Sequence, residues 1–395
     1  MEAKAARFGA GLVVFVCFLV AAIEGYDIQA FGVAAPKLGP QMQLGPSQIG
    51  WVGSIAMIGL VIGAFCGGWL ADRVGRKPVL LVSVAAFGVF SIATASAGSY
   101  DILLATRFAT GLGFGGALPI LIAMATEIAR PKMAAATTTA MFCGMPVGGA
   151  AVSLAARLAG DGLDWRSLFV AGGIAPLVLL PLMLVVLPET RDPTPAGTDR
   201  AVLRGLLGEG RWAATVCLWV TFFLNLVVLY LALNWLPTLV VAKGLAPSDG
   251  FTASLAFNVA GALGALALGV MSDRFGWRRP LLVAFGLLAV AMAGLAVART
   301  PLALDVLSAI SGACVVGALF VLYSVAPALY PAALRGAGAG AAVAVGRIGS
   351  IVGPLVAGEL RAAGATPGEV FLSMAPVAVV AAASLLLLGR LAKDA

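Results

Sequence analysis

Long apolar runs separated by short polar stretches dominate this chain. A helix that crosses a bilayer needs about 20 apolar residues. Runs of that kind recur at roughly 8–35, 48–70, 79–98, 102–128, 135–160, 166–187, 212–238, 250–271, 281–298, 301–328, 336–360 and 368–389. The pattern predicts twelve spanning helices and an all-α membrane protein. Most connections hold only a few residues. The exception runs from Pro188 to Arg211 and is rich in Pro, Gly and charge. It is expected to be a cytoplasmic linker, 188–211, between a six-helix N-terminal half, 1–187, and a six-helix C-terminal half, 212–395. Lys4 and Arg7, the apolar run after them and Ala21-Ala22 have the outline of a secretory signal peptide. The many spans that follow favour a retained first helix.

Composition agrees with the pattern. The chain is 61% hydrophobic and 11% charged, against about 25% charged in soluble domains. It holds 50 glycines, which suit close helix–helix approach in lipid. The net charge of +7 invites a nucleic-acid reading, but its distribution points to the bilayer. With the N-terminus inside, only Lys37, Arg157, Arg166, Lys243, Arg299 and Arg361 fall in outer segments, and Arg107 and Arg347 fall within spans. All other Lys and Arg face the cytoplasm, as the positive-inside rule requires. The expected protein is a monomer in the inner membrane with both termini cytoplasmic. No nucleic acid, cofactor or metal partner is expected: the five cysteines form no CxxC pair and there is no histidine.

Charged residues inside apolar runs are costly and point to function. Glu24 and Asp27 lie three residues apart in the first run, on one face of a helix. Their expected place is the outer half of the first helix, with Asp27 six to eight residues from its end. Arg107, about five residues from the outer end of the fourth span, is expected at a similar depth. Without histidine, a buried carboxylate is left to carry any coupled proton. Asp27 is the leading carrier, with Glu24 assisting and Arg107 as a switchable partner. The alternative is a permanent ion pair that only fixes two helices. Arg347, near the middle of span eleven, suits a substrate carboxylate held by two parallel hydrogen bonds. The alternative is a structural partner such as Asp305 or an acid of the first helix. Tyr26, Asn225, Tyr230, Asn234, Trp235, Asn258 and Tyr323 are candidates for lining a substrate site, as are Phe31 and Phe142. Most buried aromatics only pack, whereas an amide at lipid depth needs a reason.

An internal repeat organises the rest. Gly68, Asp72, Arg73 and Gly75 after span two recur 201 residues later as Gly269, Asp273, Arg274 and Gly276 after span eight. Two parallel repeats are the organisation of many secondary transporters. Gly68-x3-Asp72-Arg73-x-Gly75-Arg76-Lys77 resembles the loop signature of the major facilitator superfamily, and Arg107-x3-Gly111-x-Gly113 resembles its second motif. Glu24-Gly25-x-Asp27, Asn234-Trp235-Leu236-Pro237 and Gly346-Arg347-x-Gly349-x3-Gly353-Pro354 are similar to the aromatic acid:proton symporters of that superfamily. The first acid is usually Asp there, and Glu24 is similar to the hydroxyphenylpropionate branch. The resemblance implies a major facilitator fold that imports a small aromatic carboxylate with protons by alternating access. A proton-coupled exporter of the same superfamily and a non-transporting sensor of aromatic acids are the alternatives. An enzyme is not expected, for no nucleophile or metal-ligand motif occurs. Asp72, Arg73, Arg76 and Lys77 are expected to latch helices at the cytoplasmic surface, with Glu127 and Arg130 as partners and Asp273 and Arg274 repeating the device. The basic residues among them also serve as topology anchors.

Overall fold

The twelve apolar runs form twelve helices in the computed structural model, which describes residues 2–128, 140–189, 205–208, 210–331 and 334–391. These are α1 (Glu2–Gln41), α2 (Pro46–Val74), α3 (Arg76–Ala95), α4 (Tyr100–Ile128), α5 (Gly144–Ala159), α6 (Trp165–Val186), α7 (Trp212–Ala242), α8 (Pro247–Phe275), α9 (Arg278–Val297), α10 (Pro301–Ala328), α11 (Arg335–Ala362) and α12 (Pro367–Leu391). Each is long and apolar enough to cross a membrane, and the described residues contain no strand. The protein is a multi-pass, all-helical membrane protein.

The chain divides into two compact units, Met1–Pro193 and Thr194–Ala395. In the first, α1 packs on α5 and α6, α2 on α4, and α3 on α4 and α6. In the second, α7 packs on α11 and α12, α8 on α10, and α9 on α10 and α12. The repeat read from one loop therefore extends through the packing of each unit.

Glycines set the register of that packing. Gly144 and Gly148 of α5 lie so close to the carbonyls of Phe18 and Ala22 that a Cβ there would stand 2.5 and 1.7 Å away. Gly349 and Gly353 of α11 approach the carbonyls of Phe223 and Val227 in the same way, at 2.2 and 2.4 Å. The interval is constant: 349 minus 144 and 223 minus 18 are both 205, as are 353 minus 148 and 227 minus 22. The α2–α4 contact repeats at another interval. Gly63 meets Leu112 and Gly264 meets Ala313, and 264 minus 63 and 313 minus 112 are both 201. In lipid no hydrophobic force drives helices together, so this close approach supplies the van der Waals contact that does. The loop glycines of the repeat have another reason to be glycine. Gly75 and Gly276 take φ values of 107° and 75°, a region that side chains avoid, and each turns the chain between two helices.

The first helix is longer than its apolar run predicts. It continues through Pro36 and Pro40 to Gln41, so Asp27 lies some 20 Å from its end at 1.5 Å per residue and not near it. Side chains past the apolar run anchor this extension. Lys37 Nζ donates to the Leu163 carbonyl at 3.0 Å, and Gln41 Oε1 accepts from Trp165 Nε1 at 2.7 Å. A lysine at the end of α7 does similar work. Lys243 Nζ donates to the carbonyls of Leu295, Ala296 and Ala298, groups that the end of α9 would otherwise leave unmet. Burial, with Arg299 nearby, holds that ammonium below its ordinary value.

Gly148→Ala should cost at least about 2 kcal/mol, because the added methyl overpacks a backbone contact. Gly68→Ala, with open space around its Cα, should cost nothing. Thermal unfolding of the purified variants in detergent separates the two.

Candidate functional site

Consecutive residues of α1 point in successive directions, about 100° apart, and Gly25, Tyr26 and Asp27 each meet a different neighbour. Gly25 faces α5, where a Cβ would stand 2.0 Å from the Met145 carbonyl. Tyr26 packs over Gly172 of α6, to which a Cβ would bring a methyl 3.2 Å from its ring. Asp27 faces α4 and α3. Glu24, one turn earlier, is buried with it. Sequence spacing places the acids on one face, and the packing explains the glycine between them.

Asp27 and Arg107 meet directly. Arg107 Nη1 donates to Asp27 Oδ2 at 2.6 Å, and neither residue is more than 1% exposed. Ser91 Oγ of α3 donates to the other carboxylate oxygen at 2.8 Å and lies 3.1 Å from the Phe169 carbonyl of α6. The guanidinium carbon stands 5.7 Å from the Phe31 ring centre and 5.5 Å from that of Phe169, within reach of a cation–π attraction. Arg107 Nε has no hydrogen-bond partner among the described residues. A charged pair is thus held in a dry pocket with aromatic walls, and helices α1, α3, α4 and α6 all contribute to it.

The second unit carries a different arrangement. Gly346, Gly349 and Gly353 seat α11 against α7. From that contact Arg347 Nη1 donates to the Tyr230 hydroxyl at 2.9 Å. The amides are anchored through their nitrogens: Asn225 Nδ2 donates to the Val315 carbonyl, Asn234 Nδ2 to Tyr230 and Asn258 Nδ2 to Ser254. Asn225 Oδ1 is buried and accepts no hydrogen bond among the described residues. Tyr323 of α10 lies between two rings, 5.7 Å from Phe222 and 6.5 Å from Phe320. Trp235 takes a structural place. Its Nε1 donates to the Pro354 carbonyl at 3.0 Å and the ring is 1% exposed, so its one polar atom ties α7 to α11.

The loop between α2 and α3 has a partner that motif reasoning did not single out. Glu189, just past α6, accepts from the Lys77 backbone N–H at 3.3 Å, and Lys77 Nζ donates to the Leu184 carbonyl at 2.6 Å. The glycine at 75 leaves room for that carboxylate, which a Cβ would meet at 2.7 Å. Arg73 stacks on Trp69 at 3.9 Å. Asp72 is exposed, and so are Asp273 and Arg274 of the second loop. The Glu127 side chain and Arg130 lie outside the described residues. Sequence reasoning also passed over Ser91, Phe169, Phe222 and Phe320. Small hydroxyls and aromatics are too common in spans to mark a site, whereas an acid beside Pro188 at a span end was a usable signal for Glu189.

Comparison with known proteins places this arrangement in context. The description of the Major Facilitator Superfamily matches residues 17–354. Over 381 residues the chain is 39% identical to the 3-(3-hydroxy-phenyl)propionate transporter of Escherichia coli (strain K12), covering 95% of this chain and 93% of that one. It is 32% identical to the gallate transporter of Pseudomonas putida, over 89% of this chain and 86% of that one. It is also 32% identical to the 4-hydroxybenzoate transporter of Pseudomonas aeruginosa, over 95% and 92%. Among solved structures, a D-xylose-proton symporter shares the fold with a TM-score of 0.78, 18% identity, and 95% and 96% coverage.

Removing one member of a buried pair leaves the other charge unmet, at a cost of about 3–5 kcal/mol. Arg107→Met should lose stability on that scale. The double variant Asp27→Asn/Arg107→Met should recover most of it. Unfolding in detergent, read by tryptophan fluorescence, checks both.

Proposed function

This chain belongs to the Major Facilitator Superfamily, a family of membrane transporters, and we propose that it imports a small aromatic carboxylate together with protons by alternating access. The observation that carries the reading is the buried Asp27–Arg107 pair at 2.6 Å. Relatives at 32–39% identity are named as transporters of hydroxylated aromatic acids, which supports that substrate class. In this reading the termini are cytoplasmic and the membrane is the inner one.

Asp27 carries the proton, and Arg107 holds its carboxylate while the proton is absent. Glu24, buried one turn away, assists. Arg347 takes the substrate carboxylate, with Tyr230 orienting its guanidinium through the 2.9 Å hydrogen bond. The Phe222, Phe320 and Tyr323 rings offer a face for an aromatic ring. Asn225, whose nitrogen is held by Val315, offers Oδ1 to a phenolic hydroxyl. Tyr26, Asn234 and Asn258 shape the helices behind these groups. The loop of Asp72, Arg73, Arg76 and Lys77, tied to α6 through Glu189, holds the helices of the first unit together at one face. Proton and substrate must each bind one conformation better than the other, or neither can drive the change.

Uptake of labelled 3-hydroxyphenylpropionate, 4-hydroxybenzoate and gallate into proteoliposomes, with and without an inward pH gradient, tests the proposal. The wild type should accumulate at least one of them only with the gradient. Asp27→Asn should abolish accumulation yet keep counterflow exchange; full gradient-driven accumulation by this variant would end the carrier assignment. Arg347→Lys retains the charge but loses the bidentate fork. Its KM should rise about 10-fold or more, as expected for a charge-assisted hydrogen bond worth some 1.5–3 kcal/mol. An unchanged KM would remove Arg347 from the substrate site.

A further inference from the structure

Ser91 has one hydroxyl proton and two acceptors within reach. Its Oγ lies 2.8 Å from Asp27 Oδ1 and 3.1 Å from the Phe169 carbonyl. A single O–H serves only one of them at a time, while the oxygen keeps lone pairs with which to accept. The residue is fully buried, and leaving a polar atom unmet there is costly. Asp27 has the complementary problem. As a carboxylate it only accepts; with a proton it must donate.

We propose that Ser91 is the positioning residue that lets Asp27 change protonation state without leaving a buried polar atom unpaired. Oδ2 faces the Arg107 N–H at 2.6 Å, so an added proton there would oppose a donor. Oδ1 faces a hydroxyl, which both donates and accepts. With Asp27 ionised, Ser91 donates to Oδ1. A hydronium ion gives up a proton that forms an O–H bond at Oδ1, leaving water, and this new group donates to Ser91 Oγ. The serine hydroxyl then rotates about its Cβ–Oγ bond and donates to the Phe169 carbonyl. One proton is gained, the only bond broken is the O–H of its hydronium donor, and Arg107 keeps its hydrogen bond to Oδ2. The inversion also changes how α3 is tied to α1 and α6, since the hydroxyl proton passes from one helix to the other.

The surroundings leave few other groups to answer the proton. Among charged or titratable residues near Asp27, α1 carries Glu24 and Tyr26 and α4 carries Arg107. At this level α3, α5 and α6 meet α1 through Ser91, Met145, Phe169 and Gly172, none of which titrates.

The inference rests on proton coupling through Asp27, so the test reads the carboxyl group as well as transport. Infrared difference spectra of purified protein across a pH series should show a protonated-carboxyl band that is absent in Asp27→Asn. In Ser91→Ala that band should change frequency, and its midpoint and the pH of half-maximal uptake should both move about one unit upward, because the ionised form loses its donor. The KM for substrate should stay within about twofold. Ser91→Thr, which keeps the hydroxyl, should restore the wild-type midpoint. A Ser91→Ala band and pH profile identical to the wild type would overturn the inference, and so would an Asp27 band that never forms. A band that titrates and shifts as expected, in a protein whose uptake ignores the pH gradient, would uphold the Ser91 role and reject the symport reading.

Discussion

A guanidinium and a carboxylate 2.6 Å apart in a dry helical interior are the constraint on which the first unit depends. Both groups are buried, and each is tolerable only while the other is present. The surrounding parts follow from keeping that pair whole. Gly25 lets α1 sit against α5, Gly172 admits Tyr26, Ser91 takes the second carboxylate oxygen, and Phe31 and Phe169 flank the cation. Such a pair is weak evidence for stability by itself, since a well-packed apolar substitute is often as good.

The packing repeat shows how that machinery is confined to one unit. By the interval of 201, Ser308 stands where Arg107 stands in the first unit, and by the interval of 205, Ala232 stands for Asp27 (308 minus 107; 232 minus 27). The second unit has kept the glycine register and lost the charge pair. In exchange, Arg347 occupies the position of Phe142 (347 minus 142 is 205) and reaches Tyr230. The two units share a scaffold and differ in a few polar side chains; in the proposed mechanism the proton is handled by one and the anion by the other. The backbone carries the symmetry and a few side chains break it.

The loops repeat the turn at the surface. Gly75 and Gly276 both turn the chain with positive φ. The first loop is tied down through Glu189 and the Leu184 carbonyl, and in the second Asp273 and Arg274 are exposed while Arg278 lies against Gly389 of α12.

Much of this was legible in the sequence because lipid punishes polar backbone and charge. Twelve apolar runs had to be helices, an apolar run of that length has few alternatives, and Glu24, Asp27, Arg107 and Arg347 stood out by cost alone. The loop repeat pointed to two units, and charge within apolar runs marked Asp27 and Arg107 as partners, although the depth expected for Asp27 was too shallow. Tertiary structure decided what small or common residues do, since a serine, a phenylalanine or a glycine carries no cost that marks it in a one-dimensional pattern. Ser91 and Phe169 matter only because three helices bring them to Asp27. That the Trp235 N–H ties α7 to Pro354 of α11 is visible only in the fold. The end of α1 moved past two prolines because Leu163 and Trp165, far along the chain, hold Lys37 and Gln41. Hydropathy measures the environment of one residue at a time, whereas hydrogen bonding and close packing belong to pairs, and pairs exist only once the chain is folded.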